Sequence, residues 1–286
     1  MASPSINQGF MGSAIINGDN YRCTDFQIST GQELLFYNSV IGLNDTIPTT
    51  KATKGEDTGL YNVQHNIFRP GTIDVSGTIS IIPEENNIQN VYNLARNGNP
   101  FDVTLIYFCS DGAGTGTSRS FIGCKMGNFS LSISASDILQ ISIGVTAVEA
   151  SDDTSTLRIT DSEKLLTWDK VSIAGSGADI LQAFDLSVEN PIIPVYTSSP
   201  GNAMSDFGVK ELRIGTQNVT GSISGYNRPN LELLTAASAQ SGLTLEIGSS
   251  FSETLEVVFL PNNPSGSVGP MVTTIPFVGV NNALGA

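Results

Sequence analysis

The sequence of 286 residues has few charged residues, which make up 14% of it. It contains 13 Lys and Arg but 27 Asp and Glu. The net charge of −14 argues against spontaneous binding to nucleic acid, because cationic side chains drive that binding by displacing the counterions of the phosphates. An apolar content of 40% with so little charge indicates a folded chain rather than a disordered one. A surface with few charges also favours assembly with other subunits.

Long apolar segments are missing as well. No run of 18 or more apolar residues occurs, so the sequence predicts no transmembrane helix and no membrane partner. The opening stretch, "MASPSINQGF", has neither the basic nor the apolar region of a secretion signal. We therefore expect a protein that is made and assembled in a cytoplasm.

Residues that commonly carry chemistry are scarce. The one histidine, His65, has no cysteine or acidic partner at ligand spacing, which favours a solvated or interface role. The three cysteines, Cys23, Cys109 and Cys124, fit neither a zinc site nor a disulfide framework. Buried free thiols are the prediction, with a pairing of Cys109 and Cys124 across a hairpin left open as the alternative.

Two further patterns could suggest a site. The Gly-rich stretch "DGAGTGTSRS" at residues 111–120 lies between two predicted strands and lacks the Lys-Ser/Thr ending of a phosphate loop, so it is interpreted as a hairpin tip. The acidic pairs at residues 84–85 and 152–153 lack the framework of a calcium loop. A glycosidase would usually need aromatic platforms, and Trp168 is the one tryptophan. We predict no enzyme, and no catalytic, cofactor-binding or metal-binding residues.

The dominant hydrophobic period is two. It is clear in "FDVTLIYF" at residues 101–108, "FSLSISA" at 129–135 and "LQISIGV" at 139–145, with a turn predicted at 134–137. The same alternation returns later in "AFDLSVEN", "VKELRIG", "LTLEIG" and "TLEVVFL". Alternation of this kind is typical of half-buried strands, so the sequence predicts a mainly β protein.

One phrase occurs twice, as "DVSGTISI" at residues 74–81 and "NVTGSISG" at residues 218–225. A helical pattern follows each copy, and Gly98 and Gly242 are the predicted helix ends, each 21 residues after the central glycine of its phrase. The apolar positions of the helices are Ile88, Val91, Leu94 and Ala95 in the first half and Leu231, Leu234 and Ala237, after Pro229, in the second. The equal spacing predicts an internal duplication.

The fold prediction is two tandem related β-sandwich or β-barrel domains, each with one flanking α-helix. The first domain is predicted at residues 1–152 and the second at 153–286, with a polar connection at about 150–164. The first half is longer by about 14 residues before the repeated phrase, in a polar loop at about 42–66. A loop of that length in a compact domain is usually functional.

The order "DVSGTIS", short helix, "FDVTLIYF", "FIGCKMGNFSLSISASDILQISIGVTAVEA" and "ELRIGTQNVTGSISGY" resembles the tail tube proteins of tailed bacteriophages over most of the chain. The resemblance implies β-sandwich or barrel domains whose sheets join sideways into a ring that lines a channel. Most such proteins have one domain per chain and form hexameric rings. A duplicated chain would complete the ring as a trimer with pseudo-sixfold symmetry.

The resemblance also implies a place and partners. The chain would be the major tube subunit of a virion tail, assembled in the cytoplasm of the bacterial host. Its partners would be other copies of itself and the terminator, baseplate or tip, tape measure and, in a contractile tail, sheath proteins. A ring would carry three times the charge of −14, and DNA would pass through it without specific binding.

Other functions remain open at this point. A tube-initiating or baseplate hub protein at the tail tip would use the same doubled domain. A secreted adhesin or carbohydrate-binding module would share the Ser/Thr-rich strands but would need a secretion route and exposed aromatic residues.

Overall fold

The computed structural model describes residues 12–40, 64–109, 115–135, 137–156, 165–174, 181–196, 209–226, 240–260 and 272–280. These residues are mainly β, with fifteen strands and one α-helix. In the first half lie β1 (Gly12–Ile16), β2 (Asp19–Val40), β3 (Gln64–Ile82), α1 (Ile88–Asn97), β4 (Phe101–Cys109), β5 (Thr115–Ser134), β6 (Gln140–Ala147) and β7 (Glu149–Thr156). In the second half lie β8 (Val171–Ala174), β9 (Leu181–Glu189), β10 (Ile192–Tyr196), β11 (Val209–Ile214), β12 (Asn218–Tyr226), β13 (Gln240–Ile247), β14 (Phe251–Phe259) and β15 (Val272–Gly279).

The period of two decides which side of each strand is buried. In β6, Ile141, Ile143 and Val145 are buried, and the Ser, Gly and Thr between them are only partly so. The same alternation holds in β9 and β12. The predictions of strands at residues 101–108 and 139–145 are confirmed, and β5 contains most of the stretch 129–135.

Six strands of the first half close into a barrel. β1 pairs with β2 and β4, β2 with β3, β3 with β6, β6 with β5, and β5 with β4. All of these pairs are antiparallel, and closure leaves few backbone groups of the barrel without a partner.

The second half continues the same sheet. Residues 128–134 of β5 pair with β9, from Asn128 opposite Glu189 to Ser134 opposite Ala183. From β9 the order runs β12, β15, β14, β13 and β8, so that thirteen strands form one sheet, while β10 and β11 form a separate ribbon. The alternate side chains of both halves meet in one apolar core.

Helix α1 lies between the two halves. It ends at Gly98, whose φ of 63° is left-handed and whose N–H donates to the carbonyl of Leu94, so the predicted helix and its stop are confirmed. The ring of Tyr92 packs edge-on against Phe129 of the first half and Phe251 of the second, with centroids 5.6 and 5.4 Å away. No described segment is a helix long and apolar enough to cross a membrane.

Two sequence-based assignments of connections need correction. Residues 150–156, predicted as part of a polar linker, belong to β7, so the division between residues 152 and 153 lies inside a strand. The reason is that β5 is longer than its pairing with β6. β7 pairs with residues 115–122 of β5 and so provides partners for their backbone N–H and C=O groups. The strand β5 likewise begins at Thr115, within the stretch predicted as a hairpin tip.

Gly242 does not end a helix. It lies inside β13, opposite Glu256, although Gly98 does end α1. Strand β13 begins at Gln240, two residues before Gly242, because β14 is long enough to pair with these residues as well. The predicted second helix at residues 229–239 lies outside the described residues, as does most of the loop at 42–66.

The alternative pairing of Cys109 with Cys124 is wrong. Cys109 lies opposite Gly116 and Cys124 lies opposite Phe101 in the pairing of β4 with β5. Eight positions along β5 separate Gly116 from Cys124, which corresponds to roughly 27 Å. The prediction of buried free thiols is confirmed for Cys23 and Cys124.

Two strand glycines admit no side chain. A Cβ on Gly77 would lie 2.1 Å from the carbonyl O of Gln27, and one on Gly221 would lie 2.4 Å from the carbonyl O of Asp185. Gly242 differs, since its nearest neighbour would be the Thr254 methyl at 4.0 Å. The backbone is therefore crowded at both Gly77 and Gly221.

We expect Gly77→Ala and Gly221→Ala each to lower the free energy of unfolding by about 1–3 kcal/mol, because backbone atoms must move to admit the methyl group. Gly242→Ala is the matched control and should change it by less than about 0.5 kcal/mol. Urea unfolding followed by circular dichroism measures all three. Wild-type stability in both of the first two variants would show that the close approach is not a constraint.

Candidate functional surface

One face of the large sheet is polar across seven neighbouring strands. Its side chains point away from the core, and we call it the polar face. It runs from β2 through β3, β6, β5, β9 and β12 to β15. Its polar members are Asp25, Gln27, Ser29, Ser76, Thr78, Ser80, Gln140, Ser142, Thr146, Asn128, Ser130, Ser132, Asp185, Ser187, Glu189, Asn218, Thr220, Ser222, Ser224 and Thr274. The same register places Arg22, Ile82, Lys125, Pro276 and Val278 on this side as well.

Hydroxyl groups form a row across the middle of this face. Ser80 lies opposite Ser142, Ser142 opposite Ser130, and Ser130 opposite Ser187 across the boundary between the halves. Ser187 in turn lies opposite Thr220. The row thus crosses five strands without an apolar or cationic side chain, and the junction of β5 with β9 does not interrupt it.

Side chains of the polar face bond mainly to one another. The hydroxyl of Ser187 donates to Oδ1 of Asn128 at 3.3 Å, and that of Ser222 donates to Oδ2 of Asp185 at 3.3 Å. The hydroxyls of Ser224 and Thr274 are 2.7 Å apart. These contacts join neighbouring strands, as expected of cross-strand pairs in a sheet.

Three carboxylates lie on the polar face, those of Asp25, Asp185 and Glu189, and each is exposed. Two cations lie towards its ends: Arg22 is exposed and lies opposite Ile82 of β3, and Lys125 lies opposite Thr146 and donates to the carbonyl of Gly98 at the end of α1. The row of hydroxyls between them contains no cation, so it offers anions no cationic contact.

Two carboxylates on one strand of the polar face are too far apart for a glycosidase pair. Asp185 and Glu189 lie four positions apart on one strand, about 13 Å, which is wider than the carboxylate pairs of glycosidases. No three or more His, Cys, Asp or Glu within the described parts of the chain are close enough together to hold a metal ion. The backbone of His65 lies in β3, opposite Ser39, and its side chain is outside the description.

The other residues singled out in the sequence have structural positions. Trp168 is partly buried against the core. Glu85 accepts a hydrogen bond at its carboxylate from the N–H of Ser249, and its carbonyl accepts one from the hydroxyl of Ser250, so it joins the halves. The pair at residues 152–153 lies in β7.

A comparison with protein families completes the description. The family model described as "Phage tail tube protein" matches residues 68–279, from within β3 to the end of β15. The chain belongs to the phage tail tube protein family. No curated protein was found to match it.

Membership in the tail tube family places the chain in the tail of a virion as a structural component. Such a protein assembles with copies of itself and with other tail proteins. The matched residues include α1 and all strands of the polar face except β2. The resemblance inferred from the order of sequence elements is therefore confirmed.

Sequence reasoning missed two residues that are buried between the halves, Asn190 and Gln217. Both lie in short segments between strands, and each is only 2% exposed. Their one signal in the sequence is an amide side chain next to a strand end, which is common in surface turns and so is not distinctive.

Burial raises the pKa of the Cys23 and Cys124 thiols to about 12 each. Both should therefore stay protonated, and unreactive towards a disulfide reagent, at pH 8. In a Cys109→Ser background we expect no colour from 5,5′-dithiobis(2-nitrobenzoate) with the folded protein and two equivalents after unfolding in guanidinium. Fast reaction of either thiol in the folded protein would contradict the burial described.

Proposed function

We propose that this chain is the major tail tube subunit, with three chains per ring and rings stacked into a tube whose channel is lined by the polar face. The observation that carries the proposal is the continuity of that face across β5 and β9, where the row of hydroxyls contains no cation. A wall that continues from one half to the next inside a chain can also continue from one chain to the next.

Strand register supports an internal duplication. In the first half Gly77 lies opposite Ile28 of β2 and Val145 of β6. In the second half Gly221 lies opposite Leu186 of β9 and Phe277 of β15. Two residues further on, Ile79 lies between Phe26 and Ile143, and the corresponding triplet is Phe184, Ile223 and Ile275.

The order of pairing supports it further. The path β2, β3, β6, β5, β4, β1 in the first half has the same order of connections as β9, β12, β15, β14, β13, β8 in the second. A Cβ on Gly77 or Gly221 would also meet the carbonyl O of corresponding residues, Gln27 and Asp185. We therefore propose two related units, the first ending with β7 and the second beginning near β8.

The second edge of β2 indicates how chains would join. The second unit uses residues 183–189 of β9 to pair with β5. The corresponding residues of β2 are 25–31, and the described strand that pairs with them is β3. The second edge of a strand can act as a template for strand addition. We propose that a strand of the neighbouring chain binds there, as β5 binds β9.

The proposed pairing of β2 with a neighbouring chain would close three chains into a ring. Each chain contributes the seven neighbouring strands of the polar face to the wall, β2, β3, β6, β5, β9, β12 and β15. Three chains with two similar units each give a ring with pseudo-sixfold symmetry, in which junctions within and between chains alternate. Such a ring carries a formal charge of −42, three times −14.

The contact between successive rings is proposed for the loop at residues 42–66. The hairpin of β2 and β3 remains paired as far as Val40 and Gln64, so this loop leaves from its far end. The paired hairpin therefore extends beyond Gly31, which is the last residue of β2 in the proposed junction.

Electron microscopy of the purified protein tests the proposal. We expect hollow filaments of indefinite length with a regular axial repeat, and class averages of single rings with three identical subunits. A hub protein at the tail tip, the alternative, would stop at one ring. Six subunits per ring, or no rings under any ionic condition, would contradict the proposed assembly.

Cations placed on the polar face should make the channel adhesive. In Ser142→Lys/Ser187→Lys, each chain gains two positive charges separated by β5. We expect its tubes to retain duplex DNA at low salt and to release it as salt increases, because phosphate contacts release counterions. Filter binding measures the effect, and Ser142→Gln/Ser187→Gln is the uncharged control. Equal DNA retention by both variants would contradict a channel-lining role.

A further inference from the structure

The boundary between the halves contains a buried pair of amides, Asn190 and Gln217, which we call the amide clamp. Nδ2 of Asn190 donates to the carbonyl O of Ala95 at 2.8 Å and to that of Met126 at 3.0 Å. Nε2 of Gln217 donates to the same Ala95 oxygen at 3.0 Å and to Oδ1 of Asn190 at 2.9 Å. The clamp therefore joins the first half to the second through donors that all lie on the second.

The clamp satisfies the C-terminal end of α1. The last carbonyls of a helix have no partner within it, and Ala95 is completely buried, so its carbonyl needs an external donor. Arg96 extends the network by donating to Oε1 of Gln217. Among the described residues of the first half, no group outside α1 donates a hydrogen bond to the carbonyl of Ala95.

The clamp lies where the sheet passes from one unit to the next. β5 pairs with β4 up to Cys124 and with β9 from Asn128, and the register shifts between Met126 and Asn128. At this bulge the backbone N–H of Asn190 donates to the carbonyl of Gly127 at 2.8 Å. The amide side chains thus fix the second unit beside this bulge, and they add to the contacts of Tyr92 with Phe251 and of Glu85 with Ser249 and Ser250.

Strand pairing alone leaves this rotation loosely defined. Adjacent strands are twisted by roughly −10 to −35° in different sheets, so a join made only by β5 and β9 allows a range of angles between the units. Hydrogen bonds from Asn190 and Gln217 to a rigid helix remove that freedom, because they hold only in one orientation.

We infer that the amide clamp sets the angle between the two units and thereby the curvature of the ring. The part about curvature rests on the proposed function; the part about the angle concerns the single chain. The junction between chains has no second amide pair, since the same register places Gln32 and Ile73 where the second unit has Asn190 and Gln217. The clamp is thus specific to the junction inside the chain.

The test uses Gln217→Met, which keeps the length of the side chain and removes its hydrogen bonds, and Gln217→Glu, which keeps only the acceptor for Arg96. Gln89→Met, on the same helix, is the matched control, because Gln89 bonds only to Asn93 of α1. Spin labels on Thr78→Cys and Ser252→Cys, both exposed and one in each unit, report the angle in a Cys109→Ser background. Microscopy of assembled rings reports the curvature.

We expect a broader distribution of label distances in both Gln217 variants than in wild type and Gln89→Met, and rings of several diameters or open arcs. Unchanged label distances in both folded Gln217 variants would overturn the inference, whatever the rings do. Changed distances with rings of one unchanged diameter would overturn its extension to curvature. A wild-type chain with a narrow distance distribution that never forms rings would overturn the proposed function instead.

Discussion

The pairing of β5 with β9 is the contact on which the arrangement of the chain depends. β5 is longer than its barrel needs: β4 covers the residues up to Cys124, and residues 128–134 would otherwise present unpaired N–H and C=O groups. Such an edge is costly when buried and prone to aggregation when exposed. By covering it, β9 determines where the rest of the second half lies. The corresponding edge of β2 has no described cover besides β3, which makes assembly the natural continuation of the fold.

Helix α1 turns this sheet contact into a rigid one. Its middle packs through Tyr92 against aromatic rings of both halves, and in the described part of the chain its carbonyl at Ala95 accepts from side chains of the second half. The apolar residues of both halves accordingly form one cluster instead of two separate cores. Each unit therefore depends on the other for part of its burial and for part of its hydrogen bonding, so the two should unfold together.

Local features of the fold could be predicted from the sequence, and those that depend on distant partners could not. Alternation places the buried side of β6, and the apolar spacing with Gly98 defines α1, because each depends on nearby residues only. Gly242 looks like a helix end by the same local rule, yet the edge of β14 draws it into a strand. The extent of β7 and the buried state of Gln217 likewise depend on partners far along the chain. The acidic composition is evident from the sequence, but the row of hydroxyls that crosses both halves is evident only from the register.

In the proposed tube, two opposing requirements act on the polar face. A wall that passes a polyanion should carry an excess of negative charge, but carboxylates directly opposite one another on adjacent strands destabilise the sheet. Ser and Thr resolve the conflict, because their hydroxyls bond to neighbours across the strands and stay uncharged. In the face described here, hydroxyls of Ser130 and Ser187 lie at the join of the halves, and the carboxylate of Asp185 lies opposite Ser132 and Ser222 rather than another acid. Repulsion is thus spread over the wall without being concentrated where the strands must pair.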